Sequence, residues 1–239
     1  MAGTNLPQPN MNDFTAGQVT DPNQSEVQRQ GFFDALLYPA AGSQILAFFS
    51  TPIGAGLTTA PGATAGTAKT PFDTNLQLPN QLPSGKAFQA QSIEIDFVPG
   101  SVSTANTFTM VNPSLFAAVA AQAVADQVAD IFTFYNSGRL QFNILDKTYV
   151  DEVPLKNFPM QTGIGGDFAL TSNSATTALT GLALARAIGR PYVWGIPMTL
   201  VPAQNFAVNL LWPGVVATPS GFNGRVIVRL DGYFARSTQ

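Results

Sequence analysis

The end of the chain alternates between two kinds of side chain, and this pattern constrains the fold more than any other feature. In residues 223–236, NGRVIVRLDGYFAR, successive positions change sides, as they do in a half-buried β-strand. One side carries Val226, Val228, Leu230 and Phe234, and the other carries Arg225, Ile227, Arg229, Asp231 and Tyr233. Gly232 interrupts the apolar row, which predicts a bulge or a close backbone approach there.

Several other segments carry the same signal. FQAQSIEIDFV places Ile93, Ile95 and Phe97 on one side and Ser92, Glu94 and Asp96 on the other. GRLQFNILDKTYVDEVPL predicts a hairpin with its turn at LDKT, and residues 44–50 predict a buried strand. YVWGIPMTLV and NFAVNLLWP supply two further strands. Together these segments predict an all-β, antiparallel sandwich of about eight to ten strands.

One helix is expected within this sandwich, at residues 113–135. Asn112 is a favourable N-cap, Pro113 suits the first helical position, and an Asn-Ser-Gly run closes the end. Its apolar stripe should pack on a sheet, which leaves Asp126 and Asp130 on a hydrated face. Residues 163–190 are ambiguous, since GIGGDF is typical of a loop and TTALTGLALARAIG could form a short helix.

The chain divides into an arm and one domain. Residues 1–31 are rich in Asn, Gln, Pro, Thr and Gly, so alone they could not offset their ordering entropy, and they are predicted to be an extended N-terminal arm. Residues 32–239 are predicted to form a single domain, from which residues 52–71 make a long surface excursion.

Charge is scarce in this sequence, and that scarcity restricts its function. Charged residues make up 10% of the chain, against about 25% in an ordinary soluble domain. The chain has no Cys and no His, and its eleven basic residues are scattered. We therefore expect no enzyme, no cofactor, no metal site and no sequence-specific nucleic-acid partner. No secretory signal and no membrane anchor are predicted.

Two chemical alternatives stay open at this point. Glu94 and Asp96 share a strand face and could serve as the paired carboxylates of a glycosidase, although polar residues alternate with apolar ones on any half-solvated strand. A carbohydrate-binding protein would usually present clustered Trp or Tyr, and the sequence has two Trp and five Tyr without a cluster.

The arm, the hairpin, the strand pair YVWGIPMTLV and NFAVNLLWP, and the C-terminal strand together resemble jelly-roll capsid proteins of tailless icosahedral bacteriophages. The resemblance implies two facing four-stranded sheets in one jelly roll, with terminal arms that tie subunits together. It implies a virion protein that assembles in the host cytoplasm, with copies of itself, other virion proteins and an internal viral membrane as candidate partners, and with no small-molecule substrate. A phage spike that binds a host glycan is the first alternative.

The outer side of the C-terminal strand is the hypothetical interface. Arginine and tyrosine join apolar area to directional hydrogen bonds, which makes them frequent at the centres of protein interfaces. We expect self-assembly to involve the strand residues and two residues of the arm: Phe14, Arg29, Arg225, Arg229 and Tyr233.

Overall fold

The computed structural model describes residues 26–55, 68–99, 101–104, 107–110, 121–158, 163–164, 169–172, 179–182, 185–186 and 191–236. The strands are β1 Glu26–Arg29, β2 Phe32–Tyr38, β3 Ile45–Phe48, β4 Lys86–Val98, β5 Ser101–Thr104, β6 Thr107–Met110, β7 Arg139–Ile144, β8 Lys147–Pro154, β9 Gly163–Ile164, β10 Ala169–Ser172, β11 Leu179–Leu182, β12 Ala185–Arg186, β13 Tyr192–Leu200, β14 Phe206–Leu211 and β15 Gly224–Arg236. Helix α1 spans Ala121–Ser137, and a 3-10 turn spans Leu155–Asn157.

Two antiparallel sheets form the body of the protein. Sheet A has the order β1-β15-β4-β13, and β2 joins β15 on the same side as β1. Sheet B has the order β3-β14-β7-β8. Three short antiparallel pairs, β5 with β6, β9 with β12 and β10 with β11, complete the described strands. The all-β prediction with one helix is therefore confirmed.

Aromatic side chains from both sheets fill the space between them. Phe32 of sheet A lies 5.8 Å from Phe206 of sheet B, measured between ring centroids, and it stacks on Phe49 at 4.9 Å. A second group joins Tyr38, Phe97, Phe134 and Trp212. Each of these side chains is at most 6% exposed, and full burial of such a group stabilises the fold by about 1.5–3 kcal/mol.

The C-terminal strand has the two faces that its sequence predicts. Val226, Val228 and Leu230 are fully buried between the sheets. The register with β4 shifts between Asp231 and Gly232, so that Gln91 of β4 is the extra residue of a bulge. A Cβ at Gly232 would lie 1.9 Å from the carbonyl oxygen of Gln89, so the predicted bulge and the predicted close approach are both present.

Helix α1 ends where the sequence predicts, but the side predicted to face solvent is buried at Asp130. Its last turn closes with an amide hydrogen bond from Gly138 to the carbonyl of Phe134, and the Phe134 ring stacks on Phe97 at 4.4 Å. Asp130 is 1% exposed and accepts hydrogen bonds from the amide and hydroxyl of Ser220. The prediction of a hydrated face is wrong at Asp130, because its carboxylate anchors a loop. Residues 113–120 lie outside the described residues.

The remaining local predictions have mixed outcomes. β7 and β8 form the predicted hairpin with its turn at Leu145 and Asp146. β3 is a sheet edge that buries Leu46 and Phe48 and leaves Ile45 49% exposed, so the prediction of a buried strand is right for one face and wrong for the other. Leu179–Leu182 pairs as a strand with β10, which contradicts the short helix considered for this part of the chain. Among the described residues, no helix has the length and apolar character needed to cross a membrane.

Candidate interface surfaces

The outer face of sheet A carries most of the charged residues singled out in the sequence. Arg229 of β15 is in register with Glu94 of β4, and its Nη1 lies 3.3 Å from the Glu94 Oε2. The Arg229 side chain is 45% exposed, whereas that of Glu94 is 7% exposed. The Arg229 guanidinium is therefore partly exposed at the surface while it contacts a buried carboxylate on the neighbouring strand.

The possible catalytic pair lies deep in this face. Glu94 and Asp96 are 6% and 5% exposed, so they offer little surface to a polysaccharide chain. Tyr135 of α1 lies close by. Its hydroxyl donates a hydrogen bond to the carbonyl of Ile95 at 2.6 Å, in the part of β4 that does not pair with β13. Burial raises the pKa of Tyr135, and the negative charge of Asp96 raises it further.

The Arg225 guanidinium makes its contacts within its own chain. Its Nη2 donates to the carbonyl of Phe72 at 2.9 Å and lies 3.5 Å from the Asp73 Oδ1. Its side chain is only 15% exposed, and burial lowers its pKa while the charge of Asp73 raises it. This arginine fastens residues 70–74 to sheet A, so in the folded subunit it presents little surface to a partner.

Arg29 and Tyr233 lie together at the other end of the outer face. They are register partners on β1 and β15, and the Arg29 Nη2 lies 2.7 Å from the Asp231 Oδ2. The Arg29 side chain is 68% exposed. Of the predicted interface residues, the structure thus brings Arg29, Arg229 and Tyr233 onto one face. Phe14 lies outside the described residues.

Strand β13 exposes apolar side chains that the sequence analysis did not single out. It is the last strand of sheet A, and Val193 and Ile196 are 67% and 83% exposed. Its residues 192–200 include no charged side chain, and Pro197, which lacks an amide hydrogen, is compatible only with a sheet edge or a bulge. The register with β4 shifts between Val193 and Met198, so an irregularity accounts for Pro197, and the lack of charge along the strand was the signal that could have identified the edge.

Two kinds of ligand site find no support in the part of the chain that is described. No group of three or more Asp or Glu side chains there could hold a metal ion. Trp194 and Trp212 are 8% and 6% exposed, so neither offers a stacking platform to a sugar ring.

Comparison with protein-family models, with curated proteins and with solved structures returned no match.

Proposed function

We propose that this chain is a structural subunit of a viral shell, a jelly-roll coat protein similar in kind to those of tailless icosahedral bacteriophages. The observation that carries the proposal is β13, an uncharged edge strand with strongly exposed apolar side chains. Copies of the chain would be its main partners in the virion. Other coat proteins and an internal viral membrane are further proposed contacts.

The order of the strands supports a jelly roll. With β1 left aside, the eight strands of the two sheets pair from the ends of the chain inwards. β2 pairs with β15, β3 with β14, β4 with β13 and β7 with β8. Such nested pairing is what a long antiparallel hairpin produces when it is rolled into two facing sheets. Because one architecture serves many functions, the proposal depends on the surface as well as on the topology.

The edge strand supports lateral contact between subunits. Proteins that stay monomeric protect a sheet edge with charged side chains, with proline or with a bulge. β13 has no charged side chain, and Pro197 and the register shift between Val193 and Met198 interrupt only part of its length. Apolar area of this kind marks protein interaction sites. Pro197 prevents a continuous ladder of added hydrogen bonds, so we expect the contact to be made mainly by the side chains of Val193 and Ile196.

The outer face of sheet B supports the same function. Its central strands present small, amide and aliphatic side chains outward, including Gln141, Asn143, Ala207 and Asn209. This face also carries the exposed ion pair of Arg139 with Glu152. Its central part is neutral and can meet another subunit without the desolvation of ions, and the centres of protein interfaces are depleted of charged residues. The ion pairs of sheet A are likewise made within the chain.

A matched pair of substitutions tests the role of β13. Val193 on the edge strand and Val215 in the loop after β14 are 67% and 64% exposed, so Asp at either position should cost the subunit little stability. We expect Val193→Asp to abolish or strongly reduce particle formation and Val215→Asp to leave it unchanged, as measured by electron microscopy and light scattering. Normal particles from Val193→Asp would contradict the assignment of β13 as a contact.

A further inference from the structure

One lysine and one aspartate meet in the core of the sandwich. The Lys69 Nζ lies 2.5 Å from the Asp34 Oδ1, and neither side chain is reached by solvent. Taking two charges out of water is costly, so a buried ion pair contributes little net stability. The same two groups have a second chemical outcome, because an amine and a carboxyl group can condense to a neutral amide with loss of water.

Backbone hydrogen bonds fix the positions of both residues. The Lys69 amide donates to the carbonyl of Ala55 at 3.1 Å, and the Gly54 amide donates to the carbonyl of Lys69 at 2.9 Å. Asp34 lies within β2 and forms an antiparallel β-bridge with Thr74. Two reacting groups that are held in place react as though each were present at a very high concentration of the other.

The amine is placed to attack the carboxyl carbon. The Asp34 Cγ is one carbon–oxygen bond of about 1.2 Å from Oδ1, so Nζ and Cγ are at most about 3.7 Å apart. This limit is close to the separation of about 3–3.5 Å at which reacting atoms are ready to combine. The other oxygen, Oδ2, accepts the amide of Phe49 at 2.6 Å, and this donor would stabilise the negative charge that develops there during attack.

The surroundings of the pair favour the neutral product. Burial raises the pKa of Asp34, while the charge of Lys69 lowers it. Transfer of one proton from the ammonium to the carboxylate gives an amine and a carboxylic acid, and both neutral groups suit an apolar core better than the ions do. Exclusion of solvent also disfavours the reverse reaction, since hydrolysis of the amide requires water to enter.

We propose that Lys69 and Asp34 condense to an isopeptide bond in the folded chain. The Nζ–Cγ bond forms and the Cγ–Oδ1 bond breaks. Of the three hydrogens on the ammonium, one stays on the amide nitrogen and two leave with Oδ1 as water, so atoms and charge balance without an oxidant or a cofactor. Oδ2, which accepts the Phe49 amide, becomes the amide oxygen. The reaction takes place within one folded subunit, so it does not depend on the proposed shell function.

The bond would join two residues that are 35 positions apart. A cross-link of this kind stabilises a fold mainly by restricting the unfolded chain. The chain has no cysteine and therefore cannot use a disulfide for this purpose. Unlike a disulfide, an isopeptide bond also needs no oxidising compartment.

Mass spectrometry of the denatured wild-type protein tests the bond directly. We expect an intact mass that is lower than the mass of the sequence by one water molecule. Trypsin locates the change, because no Lys or Arg occurs in residues 30–68 or in residues 70–85. An unlinked chain is cleaved after Lys69 and gives the peptide 30–69. A linked Lys69 resists cleavage, so the expected product is the peptide 30–86 without one water molecule.

Two conservative variants supply the controls. Lys69→Arg keeps the positive charge and should restore the full mass. Lys86→Arg should keep the missing water, because the Lys86 Nζ contacts the Gln77 Oε1 at 3.3 Å near the surface and has no part in the reaction. If the Lys69→Arg chain does not fold, the digest of the wild type decides alone.

Either of two results would overturn the proposal. One is a wild-type mass that equals that of the sequence and stays there on prolonged incubation of the folded protein. The other is a missing water in a chain that trypsin still cleaves after Lys69, since this result indicates a dehydrated side chain elsewhere. Particles built from unlinked chains would overturn the bond and leave the shell function standing. Mass rather than stability is the deciding readout, because loss of the bond and loss of the ion pair both destabilise the fold.

Discussion

The Lys69 ammonium lies 2.5 Å from the Oδ1 of Asp34, and both side chains are completely excluded from solvent. The other carboxylate oxygen of Asp34 accepts the amide of Phe49 at 2.6 Å. Burial raises the pKa of Asp34, while the charge of Lys69 lowers it. This pair fastens the end of the Gly- and Ala-rich stretch after Pro52 to β2, so a residue expected on a surface excursion is part of the core.

Removing one member of this pair should be strongly destabilising. We expect Lys69→Met to lower the free energy of unfolding by about 3–5 kcal/mol, because it leaves a buried carboxylate without its charged partner. The double variant Lys69→Met with Asp34→Ala should lose less than the sum of the two single changes. Urea unfolding of the four proteins measures this coupling, and strictly additive losses would show that the two groups do not interact.

The bulge in sheet A makes a prediction about two glycines. Gly232→Ala places a Cβ against the backbone of Gln89 and should cost about 3 kcal/mol or prevent folding. Gly195→Ala on β13 is the control, because nothing lies within 4 Å of a Cβ there and its effect should be small. Thermal unfolding compares the two variants, and equal melting temperatures would refute the close approach.

Two tyrosines, Tyr38 in the core and the partly buried Tyr135, should make the fold sensitive to alkali. Burial raises the pKa of Tyr38 to about 12 from its ordinary value of 10.0, and it raises the pKa of Tyr135 as well. Between about pH 10 and pH 12 the unfolded chain therefore releases protons that the folded chain keeps, so the free energy of unfolding should fall as pH rises. Urea unfolding across this range should show a shallower fall for Tyr38→Phe and Tyr135→Phe than for the wild type. Slopes that do not differ would contradict the assignment.

Asp130 should stabilise the loop after β14 from its position on α1. Asp130→Ala leaves the amide and hydroxyl of Ser220 without their acceptor, and we expect a loss of about 1–3 kcal/mol. Asp151→Ala on exposed β8 is the control and should change stability by less than about 0.5 kcal/mol. Equal stability of both variants would mean that the loop does not depend on Asp130.

Local periodicity predicted the parts of the fold in which each residue faces either the core or the surface. The two faces of β15 and the hairpin of β7 and β8 follow from alternation alone, since side-chain direction in a strand is a local property. The bulge at Gly232 was visible as a break in that alternation. The helix end was visible because Asn, Ser and Gly terminate helices for local reasons.

Long-range pairings could not be predicted in this way. Lys69 and Asp34 are 35 residues apart, and nothing near either residue indicates that they meet. Asp130 has the helical spacing of a solvent-facing residue, and only the loop at Ser220 makes it a buried acceptor. The ion pair of Arg225 with Asp73 could not be predicted, because the two residues lie far apart in sequence. Each of these positions depends on sheet topology rather than on its neighbours in the chain.

The state of association of the purified full-length chain tests the central claim most directly. Light scattering combined with electron microscopy should find large closed particles built from many copies, because the low charge of the outer face of sheet B and the exposed apolar side chains of β13 favour repeated contacts. A discrete small oligomer such as a trimer would instead favour the spike alternative. A chain that remains a dispersed monomer at high concentration would contradict the account.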